Sequence, residues 1–313
     1  MLGYRLTVRA LVTGGAGFIG SNIADALLAE GHEVRILDDL TTGRRENVPG
    51  GADLIVGDVS DEAAVQGAVT GCEVVFHEAA HRAVLRSVEQ PLATDTANTH
   101  GTLTVLASAH DAGVRRVVYA SSSSVYGGAA QRPTPEIAPL LPRSPYAVTK
   151  LAGEHYCRVF SELHGLETVA LRYFNVFGPR QRPDSMYAAV IPLFIEALRS
   201  GKAPIVHGDG KQSRDFTYIG DVVAANLAAA FAPAEACTGK AYNIACGGEW
   251  SLLQLLDTIG ELLGVTPDPE HVDPRAGDVR HSCADVSAAQ RDLGWQAATA
   301  FTDGLARTVE WFT

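Results

Sequence analysis

Hydrophobic and polar positions in the first half of the chain follow two alternating patterns. Short apolar runs rich in Val, Ile and Leu are typical of buried strands, and the longer amphipathic stretches between them are typical of helices. The pattern predicts strands at 6–12, 33–37, 52–56, 73–77, 115–120 and 167–172. It predicts helices at 21–29, 61–69, 91–112 and 145–164. Strands that alternate with helices imply right-handed crossovers, so we expect an α/β fold with a parallel sheet.

A glycine-rich turn joins the first predicted strand to the first helix. It reads Thr-Gly-Gly-Ala-Gly-Phe-Ile-Gly and places Gly14, Gly17 and Gly20 where a tight turn must approach a pyrophosphate at a helix N-terminus. The second strand ends at Asp38, eighteen residues after Gly20, where a carboxylate binds an adenosine ribose and repels a 2′-phosphate. The combination predicts a Rossmann-type doubly wound sheet that binds NAD rather than NADP.

Polar or small residues also follow the later strands. Asp58, Ala79 and Ser121 come directly after strands or end them. Ligands of parallel α/β sheets bind beyond the carboxyl ends of the strands, so these residues are expected at one edge with the glycine turn. The small side chains of Ala79 and Ala80 allow a cofactor to approach the backbone.

The stretch Ser-Pro-Tyr-Ala-Val-Thr-Lys at 144–150 is the main candidate for chemistry. Ser144 is a candidate N-cap, and the helical spacing puts Tyr146 and Lys150 on one face, one turn apart. An ammonium beside a phenol favours the phenolate, so we expect a lowered tyrosine pKa and a base for a sugar or alcohol hydroxyl. The serine run 121–124 supplies hydroxyls nearby. An isolated pair of this spacing is also typical of an amphipathic surface helix.

Composition narrows the classes of partner. The 313 residues are 46% hydrophobic, which supports a sizeable core, and the net charge of −11 argues against nucleic acid. Five scattered cysteines form no CxxC pair, so neither a metal site nor a disulfide framework is expected. Reduced thiols, the lack of a signal-like start and the lack of a long apolar run predict a cytoplasmic protein without membrane attachment.

Motifs spread along nearly the whole chain support a family resemblance. They are TGGAGFIG at 13–20, LDDL at 37–40, HEAA at 77–80, SSSVYG at 122–127, SPYAVTK at 144–150, LRYFNVFGP at 171–179, GDGKQSRDF at 208–216 and RAGDV at 275–279. The chain resembles the extended short-chain dehydrogenase/reductase family, and within it the nucleotide-sugar 4-epimerases. YFNVFGPRQ at 173–181 and YAAVIP at 187–192 resemble the subgroup that acts on UDP-N-acetylglucosamine.

The resemblance implies a role for individual residues. It implies a catalytic set of Ser122, Tyr146 and Lys150. It implies NAD as the cofactor, bound by Gly14, Gly17, Phe18, Ile19, Gly20, Asp38, Asp58, Val59, Ala79, Ala80, Arg82, Asn98, Tyr146, Lys150 and Tyr173. For Arg82, a surface salt bridge is the alternative to a place near the pyrophosphate.

A second set of residues is implied for the sugar nucleotide. It consists of Val84, Ser122, Ser123, Ser124, Asn175, Ala189, Val190, Arg214, Arg275, Asp278 and Ser282. Arg214 and Arg275 match phosphate and ribose contacts, and the small Ser282 leaves room for an N-acetyl group. Arg180 and Arg182 stay open between binding and loop ion pairs.

The implied reaction is inversion of C4 of a UDP-hexose, UDP-N-acetylglucosamine or UDP-glucose, through a 4-keto sugar. Dehydration is not expected, because Ser123 and Ser124 stand where the 4,6-dehydratases carry Asp-Glu. The alternatives are a UDP-glucuronate 4-epimerase or decarboxylase and, less favoured, a non-catalytic NAD-sensing protein.

The resemblance also implies how the chain is organised. Residues 1–174 are expected to form the NAD-binding domain with the catalytic Ser, Tyr and Lys. Residues 175–313 are expected to form mainly a smaller α/β region that binds the UDP-sugar, with some segments returning to the first domain. The helices near 91–112 and 145–164 resemble those through which the family forms homodimers.

Overall fold

The structure, a computed structural model, describes residues 7–128, 131–183, 189–274 and 279–313. The described strands are β1 (Arg9–Thr13), β2 (Glu33–Asp38), β3 (Asp53–Val56), β4 (Val74–His77), β5 (Arg116–Ser122), β6 (Glu167–Tyr173), β7 (Val176–Phe177), β8 (Ile205–His207), β9 (Ser213–Arg214), β10 (Thr217–Tyr218), β11 (Lys240–Ile244), β12 (Trp250–Ser251) and β13 (Glu270–Val272). The described α-helices are α1 (Phe18–Ala29), α2 (Glu62–Val69), α3 (Val84–Glu89), α4 (Pro91–Asp95), α5 (Gly101–Asp111), α6 (Pro145–His164), α7 (Val190–Arg199), α8 (Ile219–Phe231), α9 (Ala234–Cys237), α10 (Leu252–Leu263), α11 (Ser287–Leu293) and α12 (Phe301–Phe312). Among the helices of these ranges, none is both long and apolar enough to cross a membrane.

Seven strands form one sheet in the order β11-β6-β5-β4-β1-β2-β3, and every pairing within it is parallel. The chain order reverses between β1 and β4, which is the switch point where doubly wound sheets open a crevice for ligands. The predicted α/β, Rossmann-type fold is therefore confirmed.

Both faces of the sheet are buried. Successive side chains of a strand point to opposite faces, so each strand contributes to a hydrophobic cluster on either side. Ala10 and Val12 of β1 belong to the hydrophobic cluster that includes Ile23 of α1. Leu11, between them, belongs to the cluster that includes Val105 of α5. Burial on both faces explains why the strands read as continuous apolar runs rather than as alternating ones.

Segments from the second half of the chain join this sheet. β11 pairs with β6 in parallel from Lys240 opposite Val169 to Ile244 opposite Tyr173. Helix α8 packs against β5 and β6. The division of the chain near residue 174 stays a prediction.

The helix predicted at 145–164 is confirmed as α6, and the Ser144 hydroxyl caps it by accepting a bond from the Ala147 amide at 3.1 Å. The helix predicted at 91–112 is confirmed as one continuous helical stretch from Pro91 to Asp111, in which a π-helical segment at Thr96–His100 joins α4 to α5. That wider segment contains the buried Asn98, whose side chain reaches His81 and Thr149. A π-bulge of this kind is frequent at functional sites.

Candidate active site

A cleft of about 940 Å³ opens at the carboxyl ends of the sheet strands, which is within the usual size of a cofactor pocket. Every residue expected to bind the cofactor lines it except Asn98. Residues of the glycine turn lie at one wall, and Asp38 and Asp58 lie toward β2 and β3. Tyr146, Lys150 and Tyr173 lie toward β5 and β6.

The glycine turn leaves no room for a side chain at Gly14 or Gly20. Gly14 has a φ of +68°, and a Cβ there would lie 2.7 Å from the amide nitrogen of Ala79. A Cβ on Gly20 would collide with the carbonyl oxygen of Gly14. Gly17 precedes α1, so Phe18 and the following residue present their backbone amides at the cleft wall. The turn therefore brings β1, β4 and a helix N-terminus together, as an anion-binding dinucleotide turn requires.

Asp38 ends β2 with a buried carboxylate. Its Oδ2 accepts a bond from the Ala16 amide and its Oδ1 accepts one from the Leu40 amide, both at 2.9 Å. Burial raises the pKa of this carboxyl, and the two backbone donors oppose the rise. Asp58 and the buried Val59 follow β3 and line the same end of the cleft. This end has the acceptor groups that an adenosine ribose needs.

The catalytic candidates meet at the opposite end. Ser122 ends β5, and its hydroxyl hydrogen-bonds the phenol of Tyr146 in the first turn of α6. One turn later, Lys150 is buried, and its Nζ donates to the carbonyl of Ala120 at 2.7 Å. The expected Ser, Tyr and Lys are therefore brought together, although their roles stay a prediction.

The expected lowering of the tyrosine pKa by Lys150 is wrong for this arrangement. Tyr146 is only 9% exposed, and burial raises its pKa above the ordinary value. The influences that oppose the rise are the hydrogen bond with Ser122 and the charge of Arg82. Burial also lowers the pKa of Lys150 to about 8, with Glu78 opposing that change.

Glu78 is a cleft residue that the sequence did not single out. Its Oε1 accepts a bond from the Tyr173 hydroxyl at 2.8 Å, and that hydroxyl also accepts one from the Asn226 amide at 2.8 Å. Burial raises the pKa of Glu78 to about 7, while the nearby Lys150 charge opposes the rise. Its place directly after β4, at the same edge as Ser122, was the available signal.

Asn98 has partners other than those expected. It is buried, its Oδ1 accepts from the His81 amide at 2.7 Å, and its Nδ2 donates to Thr149 Oγ1 at 3.0 Å. Thr149 lies between Tyr146 and Lys150 on α6. Within the described part of the chain, Asn98 therefore braces the catalytic helix instead of lining the cleft.

The residues expected to bind the sugar nucleotide are more dispersed. Ala189 lines the cleft, and Val190 is the first residue of α7. Val84 is 44% exposed on α3 and does not line the cleft itself, although its neighbour Ala83 does. Ser123 and Ser124 form a short 3-10 segment after β5. Arg275 and Asp278 lie outside the described residues.

Three further candidates of that set share one loop cluster. Asn175, with a φ of +31°, donates from Nδ2 to the Asp215 carbonyl at 3.0 Å. Arg214 donates to the Ser213 carbonyl at 2.8 Å, and the Ser282 amide donates to the same carbonyl at 3.2 Å. The structure therefore brings Asn175, Arg214 and Ser282 into one neighbourhood.

Asp215, which the sequence did not single out, organises this loop cluster. Its carboxylate accepts backbone bonds from Cys246 at 2.9 Å and from Gly247 and Ala284 at 3.1 Å each. Burial raises its pKa to about 6, although these donors oppose the rise. A buried carboxylate with several amide donors fixes the loops that carry Arg214 and Ser282.

A buried ion pair supports the catalytic end from behind. Glu154, one turn after Lys150 on α6, accepts from Arg172 Nη2 at 2.7 Å and from Ser121 Oγ at 2.5 Å. Arg172 Nη1 also donates to the Tyr126 hydroxyl at 2.7 Å. The network joins β5, β6 and α6 next to the catalytic candidates.

The comparisons with known proteins define the class. The family model for the NAD dependent epimerase/dehydratase family matches residues 10–245, and the chain belongs to that family. The resemblance to nucleotide-sugar 4-epimerases and the expected NAD dependence are therefore confirmed.

Individual relatives are similar over almost the whole chain. A UDP-glucose 4-epimerase from Mycolicibacterium smegmatis is 41% identical, covering 97% of this chain and 98% of the relative. A solved UDP-N-acetylglucosamine 4-epimerase from Methanobrevibacter ruminantium, in complex with UDP-N-acetylmuramic acid, has a TM-score of 0.92 at 38% identity and covers 98% of each chain. A UDP-glucose 4-epimerase from Thermotoga maritima with UDP-glucose has a TM-score of 0.93 at 36% identity, covering 97% of this chain and 98% of that one.

The residues that line the cleft fit NAD. The glycine turn supplies amide donors at a helix N-terminus for the diphosphate, and the Asp38 carboxylate supplies acceptors for a ribose. The cleft runs from these groups to Tyr146 and Lys150, as one dinucleotide with its nicotinamide at the catalytic end requires.

Proposed function

We propose that this protein is an NAD-dependent nucleotide-sugar 4-epimerase that inverts C4 of a UDP-hexose through a transient 4-keto sugar. The observation that carries the proposal is the meeting of Ser122, Tyr146 and Lys150 at one end of a dinucleotide cleft. The two solved relatives and the curated relative described above, each similar over nearly the full chain, are named as 4-epimerases.

In the proposed mechanism, Tyr146 removes the proton of the C4 hydroxyl and returns it after inversion. Ser122, which hydrogen-bonds the phenol, is positioned to hydrogen-bond the same substrate oxygen. Bound NAD supplies a hydride acceptor for C4 and, when oxidised, a positive charge at this end of the cleft.

The resting protonation state of the site follows from its burial. Because burial raises the pKa of Tyr146, the phenol is neutral at pH 7 in the protein alone, and the positive charge of oxidised NAD beside it would favour loss of the phenol proton to give the phenolate that acts as the base. The hydrogen bond with Ser122 and the charge of Arg82 favour the phenolate of Tyr146. The bond from Lys150 Nζ to the Ala120 carbonyl fixes the helix turn that carries Tyr146 and Lys150.

The loop cluster around Ser213 is proposed to hold the UDP end, leaving the sugar free to turn. Arg214 provides a guanidinium for the diphosphate, and Asn175 and Ser282 provide small polar groups. The half-buried Ser282 leaves room for an N-acetyl group, so we propose UDP-N-acetylglucosamine as a substrate, alongside UDP-glucose.

One observation favours a second candidate function. Ser124 Oγ is buried without a hydrogen-bond partner among the described residues, so it is available to a carboxylate on the sugar. This supports a UDP-glucuronate 4-epimerase or decarboxylase as the alternative. Dehydration lacks such support, because Ser123 and Ser124 cannot act as acids.

The surface supports association of two copies. Val84, Leu85 and Val88 of α3, Leu92 of α4 and Val148 of α6 are exposed, and Leu92 is 83% exposed. These helices contact one another, so the side chains share one apolar surface, which is typical of an interface. We therefore propose a homodimer, and the five free cysteines fit a cytoplasmic location.

The test separates the candidate functions directly. The purified protein is incubated, without added NAD, with UDP-glucose, UDP-N-acetylglucosamine and UDP-glucuronate in separate reactions, and the products are identified by NMR. C4 epimers of the first two are expected. Turnover of UDP-glucuronate alone would establish the second candidate, and absence of any product would contradict both.

A further inference from the structure

Residues 178–183, here called the strap, reach from the second half of the chain to the first. Arg180 Nη2 pairs with Asp25 Oδ2 of α1 at 2.6 Å. Arg182 Nη1 donates to the Thr42 carbonyl, beyond β2, at 3.1 Å. Arg180, Gln181 and Arg182 all line the cofactor cleft. The strap is therefore tied to α1 and to the segment after β2, and it forms part of the cleft wall.

These contacts engage only one of the two terminal nitrogens of the Arg180 guanidinium. Its Nη1 is buried and has no hydrogen-bond partner within the described ranges, although its Nη2 is ion-paired. The backbone of Arg180 also has a φ of +72°, a conformation that costs a non-glycine residue energy. A ligand that accepts a hydrogen bond from Arg180 Nη1 would explain both the missing partner of this buried nitrogen and the strained backbone.

The charges around the strap identify the kind of ligand. Burial lowers the pKa of Arg82, and the nearby charge of Arg182 lowers it further. Guanidinium groups of like charge gathered in a protein of net charge −11 are stabilised by an anion between them. The forked donors of arginine match phosphate oxygens in particular.

Two diphosphates are available to such a group, that of the cofactor and that of the sugar nucleotide. Arg180 is anchored to Asp25 on α1, the helix whose N-terminus follows Gly17, and it shares the cleft with that turn. Arg214, in contrast, bonds in the loop cluster with Ser213. The position of Arg180 therefore favours the cofactor.

We propose that Arg180 donates to the diphosphate of bound NAD and that its ion pair with Asp25 makes the strap a latch that retains the cofactor. The inference concerns NAD retention alone, so it rests on the family's cofactor and not on the proposed sugar substrate. Retention has a chemical purpose in a reaction without net oxidation, because the same cofactor must serve the removal and the return of the hydride.

The test compares Arg180→Met with Arg199→Met, an exposed arginine at the end of α7. Each purified holoprotein is passed through gel filtration at intervals, and the NAD that remains bound is quantified after acid release. Loss of a charge-assisted bond predicts NAD release about 10- to 100-fold faster for Arg180→Met, with Arg199→Met unchanged. Asp25→Asn, which leaves the guanidinium but removes its anchor, is expected to fall between them.

NAD release from Arg180→Met at the wild-type rate would overturn the proposal. If the KM for the UDP-sugar is raised at the same time, the result would assign Arg180 to the substrate diphosphate. Arg180→Lys keeps the charge and guards against a folding defect, since it is expected to retain NAD better than Arg180→Met. Release that is equally fast from both variants would also contradict a charge-dependent latch.

Discussion

The two sides of the candidate active site are built differently. At the sheet wall, Ser122, Tyr146 and Lys150 stand on β5 and α6, and the polar groups behind them bond to one another. The other side, here called the loop wall, consists of the strap, which lines the cleft, and the cluster around Arg214. The strap is held by the contacts of Arg180 with Asp25 and of Arg182 with Thr42, and the cluster is held by backbone amides that donate to the Asp215 carboxylate.

The difference separates chemistry from recognition. Groups that move protons need fixed distances, which regular elements with a buried network provide. Groups that select and retain ligands are carried by loops, whose length and side chains vary without disturbing the sheet. Variants that change one wall at a time therefore separate the two roles.

Tyr146→Phe removes the proposed base from the sheet wall and leaves its ring. We expect kcat to fall by about 10²- to 10⁴-fold, as for loss of a general base, with UDP binding retained at the loop wall. Steady-state kinetics and calorimetric titration with UDP measure the two quantities. The control is Tyr156→Phe on the same helix, which should behave as wild type. Unimpaired turnover in Tyr146→Phe would remove this residue from the mechanism.

Glu154→Gln breaks the buried ion pair behind the sheet wall. Because Arg172 would be left buried without its counter-charge, we expect the free energy of unfolding to fall by about 3–5 kcal/mol, measured with urea. The exposed pair of Arg158 and Glu162 on the same helix, 2.7 Å apart, offers the matched control. Glu162→Gln should cost less than about 1 kcal/mol. Equal losses of unfolding free energy in the two variants would show that the buried ion pair contributes no more stability than the exposed one.

Sequence patterns located the sheet wall well, because its signals are local. The glycine turn, the acid after β2 and the four-residue spacing of Tyr146 and Lys150 each report a strand end or one helix face. The loop wall was harder to predict from the sequence, because Asp215 and Ala284, which are hydrogen-bonded there, lie 69 residues apart in the chain.

Electrostatic detail was the least predictable part of the site. The pattern around Tyr146 suggested a lowered pKa, but burial, which depends on packing from the whole sheet, reverses the direction. Glu78 was missed because its partner Tyr173 lies 95 residues away. Asn98 was placed on the cofactor by motif, although its amide bonds to Thr149 and His81.

Glu78→Gln tests the charge within the sheet wall. The folded protein raises the pKa of Glu78 from 4.5 to about 7, so it binds more protons than the unfolded chain between these values. The wild type should therefore lose stability relative to Glu78→Gln as the pH rises through this window, by on the order of 2 kcal/mol. Urea unfolding at pH 5 and pH 7.5 measures the change, with the exposed Glu73→Gln as control. A difference in unfolding free energy between wild type and Glu78→Gln that is the same at both pH values would show that Glu78 does not titrate in this window.

Ser282→Tyr places a bulky side chain in the cluster around Arg214 and reduces the space beside the sugar. If Ser282 leaves room for the N-acetyl group, kcat/KM for UDP-N-acetylglucosamine should fall about tenfold more than that for UDP-glucose. Ser282→Ala keeps the space and should leave the ratio unchanged. Equal losses for both sugars would show that this position does not select the substituent.

The most direct test of the central claim follows the hydrogen on C4. UDP-N-acetylglucosamine carrying deuterium at C4 is incubated with the purified protein without added NAD, and the product is examined by NMR. Removal and return of one hydride on a retained cofactor predicts the C4 epimer with deuterium still on C4. Deuterium lost to water, or the absence of any C4 epimer, would contradict the account.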